Sequence, residues 1–334
     1  MRSLLAITFT VLAARSVAAG AQRIDLQSRP IRVNVVDGRL ALGVITYVAT
    51  DTQGRALLLG GPSKQHLFLL NPDGRSSVPP VSLSEIGVPL AWPVAAAFDG
   101  ANSIAIIDGQ SPRWARLHFG GGRWAMDTLS STNLSGVSSM CSMDGRRYVM
   151  GKVGLSHASG AVHEVSGSGA VKRSFGKPFG DIVNPAVAYG HLLCQSMQGI
   201  VVVASRLYPE LRAYTMAGEE RWSIPLPSFQ SMGFEVEGRL VRFVLPPDSL
   251  WDQTVSLFTP APDIVAVQIG RLRGRAASRY LVMRTVFLSA STGRVLGEQR
   301  GLPLVRAATP KWLYAVMEEN AQELQIYSYT FRVP

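Results

Sequence analysis

The stretch that decides the fold is Trp92 to Leu129, WPVAAAFDGANSIAIIDGQSPRWARLHFGGGRWAMDTL. It divides into four short strands separated by tight turns. Pro93 to Phe98 is a continuous apolar run of buried-strand length. Asp99-Gly100 is a hairpin turn, since glycine accepts the positive φ of a primed turn. Ser103 to Ile107 is a second apolar run, broken by the Gly, Ser and Pro of Asp108 to Pro112. Arg113 to Phe119 supplies a third strand, with bulk from Trp114, Leu117 and Phe119. Gly120-Gly121-Gly122 turns the chain into a fourth, Arg123 to Leu129. There Trp124 and Met126 alternate with Ala125 and Asp127, as on a half-exposed edge strand.

Copies of this unit run along the chain. The first turn recurs at Gln53-Gly54, Asp144-Gly145, Gln198-Gly199 and Glu237-Gly238. The turn between the third and fourth strands recurs with glycines at 74, 121, 169, 218 and 293. The first four of these are 47, 48 and 49 residues apart. Four strands repeated at that period predict a β-propeller, a ring of four-stranded antiparallel blades. The alternative is an all-β sandwich whose turns coincide. The final gap is longer by roughly 27 residues, too short for another blade at this period. An insertion at about 246–280 within blade five accounts for it. Leu304 to Val333 has room for only three strands, so the strand-like segment Ile24 to Val36 is expected to complete blade six and close the ring. The reading is one all-β domain over 22–334, a six-bladed propeller.

Residues 1–21 read as a cleaved export signal. Met1-Arg2 is basic, Leu4 to Ala14 apolar, and Ala19-Gly20-Ala21 a small-residue cleavage site. The apolar run is too short to span a bilayer, and no Cys follows the cleavage site to take a lipid. A monomeric protein, periplasmic or secreted, is expected. The chain is 47% hydrophobic and 17% charged with a net charge of +10, or +8 without Arg2 and Arg15. That charge favours acidic partners without naming one. The basic residues are dispersed over the blades, which argues against nucleic acid. Cys141 and Cys194 fall on the first strands of blades three and four, where an oxidising compartment allows a disulfide. Two buried thiols are the alternative.

The segments SIAIIDGQSPRWARLHFGGGRW and GIVVVASRLYPELRAYTMAGEERW resemble six-bladed propellers of the NHL and TolB-like group. The resemblance covers nearly all of the chain after the leader. It implies the fold more than an activity, since that group includes binding scaffolds, lactonase-like hydrolases and lyases. It also implies a ligand face over the central channel, formed by second-to-third-strand loops and blade-to-blade loops. Lys64, His66, Trp92, Arg113, Arg206 and Tyr208 would give that face a basic and aromatic character suited to an acidic glycan or an envelope protein. Ordinary solvated loop residues are the competing explanation. A lactonase-like site would need a hard cation such as Ca²⁺ on several oxygen ligands. Glu85, Asn133, Asp181 and Asn184 are the candidates. Arg271, Arg273, Arg275 and Arg279 form the densest basic cluster, which a hairpin of Thr254 to Phe258 with Ile264 to Ile269 would project as a partner- or polyanion-binding arm; an elongated blade hairpin with a solvated tip is the alternative. No HExxH pattern, CxxC pair or nucleophile elbow is present, so no catalytic residue or cofactor is assigned.

Overall fold

Alternating apolar runs and glycine turns produce six sheets arranged as blades around a channel. The computed structural model describes residues 22–27, 29–34, 36–37, 40–41, 45–60, 65–153, 160–179, 190–237, 240–274, 280–317 and 323–332. The expected leader at 1–21 lies outside the described residues. Blade one comprises Tyr47–Thr50, Ala56–Gly60, His66–Leu70 and Ser76–Ser82. Blade two is Pro93–Phe98, Ser103–Asp108, Arg113–Gly120 and Arg123–Ser131. Blade three is Leu134–Met143, Arg146–Val153, Val162–Val165 and Val171–Phe175. Blade four is Gly190–Gln195, Ile200–Ser205, Glu210–Thr215 and Glu220–Pro225. Within each blade every strand pairs with its sequence neighbour. The innermost strands pack successively against one another around the ring, from blade one through blade six and back to blade one.

Blade five departs from the expected boundaries. Its strands are Leu250–Ala261, Ile264–Arg273, Val282–Ser289 and Val295–Arg300. The segment 246–280 is therefore no insertion but contains the two inner strands of the blade. The extra piece is the hairpin Gly233–Glu237 with Leu240–Val244, a separate two-stranded sheet between blades four and five. The reason is chemical. The hairpin copies the apolar-turn-apolar signal of a blade start, whereas the real innermost strand carries Asp252, Gln253 and Thr254 near its beginning. Those three are buried through pairing and hydrogen bonding rather than through apolarity.

Blade six closes the ring. Leu304–Ala308, Trp312–Val316 and Glu323–Arg332 form its first three strands, and Arg23–Leu26 is the outermost. The register pairs Arg23 with Arg332 and Leu26 with Tyr329. Further on the chain pairs again, Ile31–Asn34 running along Leu324 and its neighbours on the same long strand. Ile24 is buried at 2% exposure among Phe258, Phe287, Leu313 and Tyr329. Its N–H donates to Gln299 Oε1 (2.7 Å), and its carbonyl accepts from Gln299 Nε2 (3.0 Å). One strand thus seals blade six and ties it to the outer strand of blade five.

The repeated glycines have a second duty. A Cβ on Gly169, at φ +80°, would stand 2.5 Å from Cγ of Trp114, whose indole comes from the preceding blade. Trp114 Nε1 donates to Gly167 O at 3.0 Å. Gly293 receives Trp222 of blade four in the same way, with the indole N–H on Ala290 O at 2.9 Å. The outer turn of one blade is the seat of an aromatic from the blade before. Gly121, by contrast, faces open space.

Inner strands are stitched laterally as well. Cys141 and Cys194 form a disulfide between blades three and four, with Cα atoms 5.6 Å apart. Tyr47 of blade one donates to Met140 O of blade three at 2.7 Å. It reaches past blade two, whose innermost strand carries Ala95, Ala96 and Ala97 there and leaves room for the phenol.

Removing 22–36 is expected to lower the melting temperature by roughly 10 °C or more, because it opens a joint between two buried blade faces. An unchanged calorimetric melt would reject the closure. Gly169→Ala, which meets both backbone strain and the Trp114 ring, should cost roughly 3 kcal/mol in urea unfolding. Gly121→Ala, strained but unobstructed, should cost only about 1 kcal/mol.

Candidate functional site: the channel mouth between blades four, five and six

Antiparallel blades put their second-to-third-strand loops and their blade-to-blade loops on one face. Blade four turns there at Ser205, whose Oγ accepts from the N–H groups of Leu207 and Tyr208, both at 3.3 Å. This local turn directs Arg206 toward the neighbouring innermost strand. Arg206 Nε donates to Gln253 Oε1 at 2.8 Å, and Gln253 in turn donates to the Tyr280 hydroxyl. The backbones are joined too, Thr254 N–H donating to Arg206 O at 2.9 Å.

His191 stands on the innermost strand of blade four, with Nε2 3.1 Å from Thr254 O. Enclosure by the surrounding protein depresses its pKa from the usual imidazole value to about 4. The Arg206 guanidinium adds to the depression, the Thr254 carbonyl opposes it, and Arg306 contributes further. At neutral pH the ring is uncharged and Nε2–H donates to Thr254 O, the tautomer following from the acceptor it faces. Arg306 lies on the innermost strand of blade six, beside Val305, whose N–H is held by Gln268 Oε1 at 2.8 Å. Blade four thus places His191 and Arg206 at the mouth against Gln253 and Thr254 of blade five, and Arg306 of blade six acts on the imidazole from the other side of the ring joint.

The hairpin over 233–244 roofs part of this region. Tyr208 stacks on Phe234 with centroids 5.9 Å apart and planes at 20°, and Phe234 meets Phe243 edge-on at 5.3 Å. Beneath them Leu207, Met232, Trp251 and Leu272 form a small apolar core with Tyr280 against it.

The residues expected on this face divide accordingly. Arg206 belongs to the mouth. Tyr208 anchors the hairpin. Trp92 is 39% exposed, and its N–H donates to Asp108 Oδ2 at 3.0 Å. Arg113 is exposed and donates to Pro89 O at 2.7 Å. His66 is half-buried at the start of a strand, its ring 6.4 Å from that of Phe68. Lys64 lies outside the described residues.

The expected basic arm is redistributed. Arg271 is not a free surface cation: its Nε and Nη2 grip the buried Asp252 carboxylate at 2.8 and 2.9 Å. That pairing raises its pKa. The segment expected to project is the inner hairpin of blade five, and it is buried between neighbours. Arg273 is exposed, while Arg275 and Arg279 lie outside the described residues.

Of the oxygen ligands expected for a metal, Glu85 Oε2 accepts from Ser82 N–H in its own turn at 3.2 Å. Asn133 is exposed and lines a cleft of about 320 Å³ with Gln110, Ser111 and Ser135. Asp181 and Asn184 lie outside the described residues. Among the described residues no three His, Cys, Asp or Glu side chains converge in a metal-holding group.

No family model matches this chain, and no curated protein matches it. The fold is shared with solved β-propellers. A member of the DUF4221 family from Bacteroides vulgatus matches at TM-score 0.60 and 8% identity, over 95% of this chain and 100% of that one. BamB from Moraxella catarrhalis matches at TM-score 0.43 and 14% identity, over 86% of each chain. Virginiamycin B lyase from Staphylococcus aureus matches at TM-score 0.47 and 9% identity, over 92% of this chain and 99% of that one. At these identities the likeness concerns the fold alone.

The mouth has a pH signature. The folded pKa of His191 lies below that of a free imidazole, so the unfolded chain binds more protons between about pH 6.5 and pH 4. Stability should be fully present above that window and fall as the pH drops through it, by up to about 3 kcal/mol. His191→Gln should flatten the urea-derived stability profile across this window; an unaltered slope would show that another group titrates there.

Proposed function

We propose that this chain is an exported, non-catalytic propeller of the NHL and TolB-like kind, working in the bacterial envelope. It would hold an acidic glycan or an acidic surface of an envelope protein over its channel mouth. The observation that carries this reading is the mouth itself, where Arg206 Nε meets Gln253 Oε1 at 2.8 Å and His191 Nε2 meets Thr254 O at 3.1 Å, a basic and polar grouping on the loop face. Guanidinium groups in a partly desolvated setting favour carboxylate-bearing partners. The disulfide between innermost strands supports export, because such bonds persist in oxidising compartments. The leader read from residues 1–21 supports it further. Among the described residues no helix is long and apolar enough to cross a membrane.

The lactonase-like reading remains as an alternative, with Asn133 in its cleft offering an oxygen ligand for Ca²⁺. Capture from envelope extract on the immobilised protein, repeated with Arg206→Ser, tests the binding reading. A retained partner that is lost in the variant is the expected outcome. Equal capture by both proteins would move the binding surface elsewhere. Stoichiometric calcium in the purified protein, found by elemental analysis, would favour the alternative.

A further inference from the structure

We propose that the cleft between blades two and three, on the same loop face as the mouth, is a second binding site that takes a neutral saccharide. The site is separate from the mouth, and its ligand carries no charge.

The cleft is built before any ligand arrives. One wall is the loop 109–112 after the second strand of blade two, and the other is the link 132–135 into blade three. Thr132 N–H donates to Pro112 O at 2.7 Å and joins the two walls. Thr132 Oγ1 donates to Gly169 O at 2.8 Å and accepts from Leu134 N–H at 3.3 Å, which fixes the second wall to blade three. The first wall is held by Asp108. Its buried carboxylate accepts from the N–H groups of Gln110 at 2.7 Å, Ser111 at 2.8 Å and Trp92 at 3.0 Å. Burial alone would raise the pKa of Asp108, but the donors from Trp92, Ser111 and Gln110 hold it below the ordinary carboxylate value, so the loop stays tied at neutral pH. Gly109 N–H donates to Trp92 O at 2.8 Å, which fixes the backbone of the 39% exposed Trp92 to the same wall.

The ligand class follows from what the walls present. Gln110 and Asn133, one on each wall, are exposed, and neither side-chain amide has a hydrogen-bond partner among the described residues. Among the described residues no charged side chain lines the cleft. Arg113, next along the chain, is bonded to Pro89 O at 2.7 Å. An uncharged lining selects an uncharged ligand. Each carboxamide offers N–H donors and a carbonyl acceptor. That combination matches paired sugar hydroxyls, each at once donor and acceptor, and equally the acetamido group of an amino sugar. Trp92 adds the flat apolar surface that the C–H side of a sugar ring requires, with a polar edge beside it. At about 320 Å³ the cleft lies at the small end of ligand sites, which run from about 300 to 1,000 Å³, and so fits a short piece of glycan.

Chitotriose, which carries acetamido groups, and maltotriose, which carries hydroxyls alone, are the probes, titrated separately into the full chain by calorimetry. Binding of at least one is expected. Gln110→Ala and Asn133→Ala should each weaken it roughly five- to tenfold. Trp92→Ala should weaken it about tenfold. Both amides are exposed and unbonded among the described residues, so the Gln110 and Asn133 variants should melt as the unmodified chain does. Asn102→Ala, exposed on the opposite face, should leave binding unchanged. Preference for chitotriose makes the acetamido group the recognised element, and preference for maltotriose the paired hydroxyls. Neither saccharide bound by the unmodified protein, or equal binding by the Gln110 and Asn133 variants, overturns the site. Arg206→Ser should leave saccharide binding intact; its loss there would move the ligand to the mouth and overturn the cleft as well. Partner capture that depends on Arg206 would stand whatever the cleft binds.

Discussion

The molecule depends on four backbone pairings between Arg23–Leu26 and the far end of the chain, Tyr329–Arg332. A propeller has no single core. Each blade buries its two faces only against its neighbours, so stability passes around the ring from joint to joint. Opening one joint would expose two apolar faces at once. The terminal strand prevents this with main-chain hydrogen bonds and with Ile24, whose side chain sits in the core shared by blades five and six. Gln299 extends the same seal by taking both backbone groups of Ile24.

The remaining joints use a different device. Aromatic residues leave one blade and enter the outer turn of the next, where a glycine makes the space and a backbone carbonyl takes the indole N–H. Trp114 over Gly169 and Trp222 over Gly293 are the clear cases. Closer to the axis, hydrogen bonds and the Cys141–Cys194 disulfide link neighbouring innermost strands. These links hold the inner strands in register and keep the loops of one face converging on the channel.

Several arginines are used by the scaffold itself. Asp99, whose side chain is 1% exposed, is pinned by Arg116 and Arg147, which come from two different blades. Glu210 is bound bidentately by Arg212, whose guanidinium also lies 4.3 Å from the Phe179 ring centroid. Arg284 bridges Asp252 and Glu298, and Arg271 also holds Asp252. Several arginines thus serve the scaffold, and the net charge of +10 does not by itself locate a binding face. What distinguishes the mouth is that two guanidinium groups there act together on an uncharged ring.

The repeat, the strand count and the closing segment were legible in the residues because turns and apolar runs are local signals that neighbouring side chains impose on the backbone. Blade five was misread where that logic fails. Asp252, Gln253 and Thr254 do not look like an innermost strand, and only Arg271 and the adjoining blades make them one. His191 and Arg306 were overlooked as site residues for a related reason. Arg306 is the single polar residue of Leu304–Ala308, and His191 interrupts the apolar part of Gly190–Gln195; those interruptions are the available clue. Their chemistry arises from proximity across more than a hundred residues of chain. The sequence by itself determined the blades, since hairpin formation is governed by residues a few positions apart. Only the tertiary structure decided which arginines pair with buried carboxylates of the scaffold and which polar groups meet at the mouth, because charge and burial depend on neighbours that the ring alone brings together.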